Sequence, residues 1–536
     1  MTRSTPRQNP VISVTKPHSQ ALSRNGYSKR LAEARSILWS FDSKCKRAKS
    51  NDGFPSVISL AEGGSLRRPH LEVLLNIQHS LFSPHEYEPA TYYFDQFLPE
   101  LGEELQRFFR ERCGIDWVRS QHVCIGVGSS HILDGLFSAL LHPGDLVLTS
   151  APFYHAFADF TVKWESSLEV IGTSESNGFK LTAPDLEKWF SLHAEDASRA
   201  KLLLLTNPST IGTVYTRQEL EELAAVIKRH RLPVFVDEVY RDCVFGDTEM
   251  ISLASLPGME EFVVTAHSGS KTRGFADFRI GWACGPENLI KEIIHFAEHS
   301  VTLVPLITQR AAIEVLRTPQ RYFDADREEC QKRADLIKTL VEQVNQLTRA
   351  THGRDAIRIP VPPEAGHAIL LDFSPLCGQE GWITEDIRSD LLLTRYLGSQ
   401  TRVSPHGEER CGVLFAPCYS NGLNGYYVRA AFAEVGHDNL AVNTGSEVFA
   451  AFESLIRAHS GLAHISPERI SAAARLVGLE GAISVQAQEQ RTRLAFSQGR
   501  ALIGEAFARV AHGILCLKLP HSANTRATQL AQANLV

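Results

Sequence analysis

The sequence predicts an α/β fold, with a large domain built on a mostly parallel sheet flanked by helices and a smaller α/β domain beside it. Three observations predict this. Short apolar, β-branched runs recur between residues 123 and 284, each bounded by small or polar residues, as buried strands are. Helical stretches, such as 132–141 and 217–231, alternate with them, and that alternation builds parallel sheets. The polar residues that stand out lie just past strands, where open α/β sheets bind their ligands.

The chain has 536 residues, enough for two or three domains and a large core. Its net charge of −6 argues against a general nucleic-acid binder. No apolar run approaches the roughly 20 residues that a membrane helix needs. Ten cysteines contain no C-x-x-C pair, so their spacing suggests neither a metal site nor a disulfide framework and fits a reducing, cytoplasmic setting. Residues 1–32 lack Asp and Glu but carry Arg3, Arg7, Lys16, Arg24, Lys29 and Arg30. They read as a disordered basic tail, with organelle import the lesser alternative because Pro6, Pro10 and Pro17 interrupt any amphipathic helix.

In chain order, residues 30–50 read as helical. Val57-Ile58-Ser59-Leu60 is a short strand running into Ala61, Glu62, Gly63 and Gly64; Glu62 alone would pass for a solvated loop residue. Pro99 is placed to open a helix reaching about residue 112. A strand at 123–127 leads through Gly128-Ser129-Ser130 into a helix, an arrangement that points free backbone N–H groups at an anion. The strand at 146–149 leads to Tyr154, which could cover a flat ring or fill core. Strands at 202–206 and 234–236 end in Asn207 and in Asp237-Glu238-Val239-Tyr240. Asn207 by itself is more simply a turn residue, and Thr216 is placed to cap the helix at 217–231.

The stretch His267-Ser268-Gly269-Ser270-Lys271 follows the strand 262–265, with Arg279 eight residues beyond the lysine. A lysine at a strand end can sit in a partly dry pocket, where its pKa falls and its amine attacks carbonyls. Ser268, Ser270 and Arg279 offer donors suited to a phosphate. An imine-forming lysine beside a phosphate site suggests pyridoxal 5'-phosphate. After Pro286 the chain turns helical, with a long helix at 319–347, then strands within 356–374 and at 426–432. The last carries Arg429 among apolar neighbours, where a guanidinium needs a partner: a substrate carboxylate or an internal acid. Residues 458–536 are Ala-rich, with a helix expected from Pro467, and read as a helical or disordered extension.

From about residue 55 to 455 the chain resembles the fold-type I pyridoxal-phosphate enzymes of the class I/II aminotransferase family. Ser268 to Gly281 matches the family's S-x-S-K-x-x-G-x-x-x-x-R-x-G signature, and Asp237 to Tyr240 its D-E-x-Y motif. The resemblance implies that Lys271 is the imine lysine and that Ser268 and Arg279 are phosphate ligands. It implies that Asp237 pairs with the pyridine nitrogen and that Tyr240 and Asn207 bond the ring hydroxyl. Ser129 and Ser130 match the phosphate loop, Tyr154 the residue stacked on the ring, and Arg429 the arginine that grips the substrate α-carboxylate. Tyr92 resembles the tyrosine that reaches the phosphate of a neighbouring subunit, implying a homodimer with shared active sites.

Leu60-Ala61-Glu62 is similar to a segment of the 1-aminocyclopropane-1-carboxylate synthase-like branch, which places Glu62 near the substrate. That branch holds lyases as well as transaminases. Departures from the family pattern concern the substrate side: the Asn207 segment is one residue short, Asp277 replaces a usual glycine and Gly63 a usual asparagine. The expected domains are a tail at 1–32, a small domain from 33–85 and 331–457, a large cofactor-binding domain at 86–330, and an extension at 458–536. The expected function is aminotransferase chemistry on an amino acid, with no metal. A pyridoxal-phosphate lyase, carrying out C–S or α,γ-elimination, is the first alternative, and a non-catalytic binding protein on the same fold the second.

Overall fold

The computed structural model describes residues 57–66, 96–377, 389–404, 407–435 and 485–515, with positions 73, 74, 76, 77 and 387 between them. The expected basic tail, the helix at 30–50, Tyr92 and the helix start at Pro467 lie outside the described residues.

After β1 (Val57–Leu60) the chain lays down β2 (Val123–Gly126), β3 (Leu146–Ser150), β4 (Ser167–Ile171), β5 (Ala200–Thr206), β6 (Val234–Asp237), β7 (Val263–Ser268) and β8 (Gly281–Cys284). The last seven form one sheet in the order β2-β8-β7-β6-β5-β3-β4. Strands β7, β6, β5, β3 and β4 pair in parallel, and β8 runs antiparallel to both β7 and β2.

The apolar runs explain the parallel core. In β5, Leu203 and Leu205 belong to one hydrophobic cluster, while Leu202 and Leu204 belong to another. Across the ladder, Val234 and Val236 join the first cluster and Phe235 the second. Side chains alternate across a strand, so a sheet covered by helices on both faces needs apolar residues at every position. Leu204 is fully buried, and its replacement by alanine should cost about 2–5 kcal/mol.

A second sheet is built from β1 and from strands that follow the large sheet in the chain. It takes β1 together with β9 (Ala368–Asp372), β12 (Gly412–Pro417) and β13 (Tyr427–Ala431), in the order β1-β12-β13-β9. Strand β1 pairs in parallel with β12; the other neighbours are antiparallel. A hairpin of β10 (Thr401–Ser404) and β11 (Gly407–Arg410) precedes β12.

Two long helices serve this sheet. The helix Gln320–His352 passes without a break through the expected boundary at 330–331. Its Phe323 ring lies under the Arg273 guanidinium on the large-sheet side, 4.5 Å away, while Ile337, Val341 and Val344 enter the small core. The helix Val485–Leu515 adds Leu502, Ile503, Phe507 and Val510 to the same small core.

Arg333 ties these parts together. Its buried Nε donates to Glu329 at 2.9 Å, and Nη1 donates to the carbonyls of Phe432, Ala433 and Val435. Those three carbonyls follow β13, so Arg333 fixes the strand that carries Arg429. Gly499 brings the helix Val485–Leu515 in close: a Cβ there would collide with the Arg333 guanidinium. Among the described residues no helix is long and apolar enough to cross a membrane.

Candidate active site

The ends of the parallel strands gather the polar residues. Asp237 closes β6 opposite Thr206 and Ala266, and the Asn207 N–H extends the ladder by donating to the Asp237 carbonyl at 3.0 Å. The Asp237 carboxyl is buried, and burial pushes its pKa up to about 6, against the pull of the Val239 N–H and the Lys271 charge. A carboxylate in this position is short of a cation, which suits a protonated ring nitrogen.

At the end of β7, Ser268 Oγ donates to Ser270 Oγ at 2.8 Å, and Arg279 Nη1 reaches Ser270 Oγ at 3.4 Å. The Arg279 guanidinium also lies against Gly128: a Cβ there would meet Nη2 at 2.6 Å. Gly128 has φ +84° and turns the chain from β2 into the helix Ser129–Leu140. The first turn of that helix leaves backbone N–H groups without helical partners. The two serines, the arginine and the helix start therefore form one cup with the chemistry of a phosphate site.

Opposite stands the segment after β1. Lys271 Nζ donates to the Gly63 carbonyl at 2.6 Å, and Arg429 Nη2 to the Ala61 carbonyl at 3.3 Å. The Gly64 N–H donates to Glu434 at 3.1 Å, and His367 Nδ1 meets the Gly64 carbonyl at 3.0 Å. A Cβ on Gly63 would lie 3.3 Å from Tyr240 Oη and 3.9 Å from both Lys271 Nζ and Arg429 Nη2. Three functional groups, one on β13 and two from the turns that follow β6 and β7, thus converge on one point. Glu62 is half-buried in the same segment.

Arg429 is buried on β13, with Nε lacking a hydrogen-bond partner, and no carboxylate pairs with its guanidinium among the described residues. Of the two partners expected for it, an internal acid and a substrate carboxylate, the first is absent there. Tyr154 shares a hydrogen bond with the Ser130 side chain; burial raises its pKa, with Lys271 opposing. Asn207 is fastened to backbone, its Nδ2 donating to the Ile251 carbonyl and its Oδ1 accepting from the Tyr215 N–H. One N–H of its amide is left over from these bonds.

Sequence reading missed His155. It is half-buried next to Tyr154, its Nδ1 has no hydrogen-bond partner, and burial followed by the Arg429 and Lys271 charges pushes its pKa down to about 4. A lone histidine after a tyrosine carries no pattern that would single it out. The anchoring of Gly64 by Glu434 and His367 was equally invisible, because the partners are some 300 residues or more away.

The family described as aminotransferase class I and II matches residues 57–376 of this chain. An aspartate/prephenate aminotransferase of Cereibacter sphaeroides is 30% identical over 254 residues, 47% of this chain and 62% of that protein. An asparagine–oxo-acid transaminase of Streptococcus mutans is 28% identical over 285 residues, 52% of this chain and 70% of that protein. Among solved structures, the aspartate aminotransferase of Rhizobium meliloti superposes with a TM-score of 0.64 at 23% identity, covering 76% of this chain and 94% of that one.

Proposed function

The chain belongs to the aminotransferase class I and II family, and from that premise we propose that it is a pyridoxal-phosphate-dependent aminotransferase acting on an amino acid. The observation that carries this reading is the convergence of Lys271 Nζ, Tyr240 Oη and Arg429 Nη2 around Gly63. The donor set fits the cofactor. Ser268, Ser270, Arg279 and the helix start at Ser129 and Ser130 would hold its phosphate, and Lys271 would hold its aldehyde. Asp237 would hold its ring nitrogen, Tyr240 and Asn207 its ring hydroxyl, and Tyr154 would cover its ring.

Bound there, the cofactor supplies an electron sink for a bond broken at the substrate Cα. The chain's own groups do the rest. Asp237 would keep a proton on the ring nitrogen, because a buried carboxylate favours a cation beside it. Freed when the substrate amine takes its place, Lys271 Nζ would accept the Cα proton as general base and return it as general acid. Arg429 orients the substrate by gripping its α-carboxylate with two parallel N–H bonds.

The finer placement in the 1-aminocyclopropane-1-carboxylate synthase-like branch rests on Leu60-Ala61-Glu62, with Glu62 beside the substrate. Homodimerisation, with Tyr92 entering a neighbouring site, rests on the family pattern. The reading of a reducing, cytoplasmic setting rests on cysteine spacing that suggests no disulfide framework. Product analysis tests the reaction class. An aminotransferase should release a keto acid only when a second keto acid is present to take the amino group. Ammonia released without an acceptor would identify a lyase instead, and no product from any amino acid would favour a non-catalytic binding protein.

A further inference from the structure

Three groups outside the reacting centre meet in the interior. Cys243 follows Tyr240 by three residues, Cys330 sits on the helix Gln320–His352, and His367 precedes β9. All three are buried, at 2%, 0% and 4% exposure, and their ligating atoms lie within 4.8 Å of one another. We propose that Cys243, Cys330 and His367 form a binding site for a thiophilic divalent cation such as zinc.

The geometry is close to what such an ion requires. Zinc–sulfur bonds of about 2.3 Å and zinc–nitrogen bonds of about 2.0 Å put tetrahedral ligand atoms roughly 3.5–3.8 Å apart. Closing to that spacing from 4.8 Å or less takes at most about 1.3 Å. The histidine is also prepared for ligation. Its Nδ1 is engaged by the Gly64 carbonyl at 3.0 Å, which fixes the tautomer that leaves the Nε2 lone pair free. The Gly366 carbonyl lies 3.4 Å from Cys243 Sγ, near enough to offer an oxygen as fourth ligand.

Charge selects the valence. The two thiols lose their protons to solvent as the ion binds, so two thiolates and a neutral imidazole balance a +2 ion. A monovalent ion would leave a net charge in a fully buried place, which is costly. The buried trio Cys113, Glu238 and His267 is a weaker candidate, since it has one thiol and Glu238 already pairs with Arg241.

The proposed site touches the reacting centre through two contacts. The His367 ring packs edge-on against Tyr240 at 5.2 Å, and its Nδ1 holds Gly64. An ion there would tie the loop after β6, the long helix and the Gly63 segment together. The inference does not depend on which reaction the centre performs.

The test uses the full chain with its cofactor. A competing exposed group on the helix Glu287–Val301, formed by His295, Glu298 and His299, is removed by His299→Ala. After incubation with zinc and gel filtration, elemental analysis should find one zinc per chain. Cys330→Ala should lower zinc affinity by at least about tenfold. Cobalt added to the cofactor-free chain should give a thiolate charge-transfer band, a reading that needs no cysteine variant to fold. Absence of that band, zinc retained equally by folded Cys330→Ala and Cys243→Ala, or a Cys243–Cys330 disulfide in metal-free protein would each overturn the proposal.

Discussion

The two walls of the crevice are built by different means. On one wall, Asp237 and Ser268 are members of strands, fixed by parallel and antiparallel ladders deep in the large sheet, and Lys271 lies three residues past Ser268. On the other, the chain from Ala61 to Gly64 has left β1 and is held by single bonds from Lys271, Arg429, Glu434 and His367. A ladder is cooperative, and removing one side chain leaves it standing. A segment held by isolated bonds shifts when one is lost. On the proposed function, groups for the chemical step belong on the first wall, and groups that recognise and enclose the substrate on the second.

The largest expected effect comes from the ladder wall. Asp237→Asn keeps the shape of the side chain but removes its charge, so turnover should fall by orders of magnitude while the fold survives. The same variant has a pH signature in the cofactor-free chain. A carboxyl raised by burial from 3.8 to about 6 favours folding while protonated, and that contribution is lost as pH rises through 6. Asp237→Asn escapes the loss. Its unfolding free energy should exceed wild type by up to about 3 kcal/mol above pH 7, with the gap vanishing toward pH 4. Denaturant melts at the two pH values check this. A near-normal rate in the variant would move the chemistry away from this wall.

Next comes the recognition side. Arg429→Lys keeps the charge but loses the fork, so KM for the amino acid should rise about 10–100-fold. Spectra of the bound cofactor should not change. A drop in kcat with KM untouched would mean that Arg429 acts in the chemical step, and the division between walls would fail.

The smallest effect is expected at Gly63. An added methyl would stand 3.3 Å from Tyr240 Oη, and no positive φ forbids it. Gly63→Ala should lower kcat/KM several-fold without changing the melting temperature. An unaltered kcat/KM would show that substrate does not use the space around Gly63.

The difference between the walls also governs what the sequence reveals. Strands β5, β6 and β7 are buried on both faces, so they appear as unbroken apolar runs, and the polar residues beyond them stand out. Lys271, Asp237 and Arg279 are conspicuous in the sequence for that reason. Strand β12 is six apolar residues whose periodicity fits a strand or a buried helical turn equally well; only its pairing with β1 decides. The helix Val485–Leu515 carries an apolar stripe from Leu502 to Ile514. The stripe includes Gly513, and nothing local announces what it packs against. The trio of Cys243, Cys330 and His367 is spread over 125 residues of sequence, so no spacing rule could assemble it.

The most direct test of the chemical wall is to locate the lysine that holds the cofactor. The purified chain is loaded with pyridoxal phosphate, reduced with borohydride and digested, and the modified peptide is identified by mass spectrometry. Lys271 should carry the only stoichiometric tag, and Lys271→Ala should carry none while still binding the cofactor noncovalently. A tag on another lysine, or full activity in Lys271→Ala, would contradict the placement of the chemistry at the end of β7.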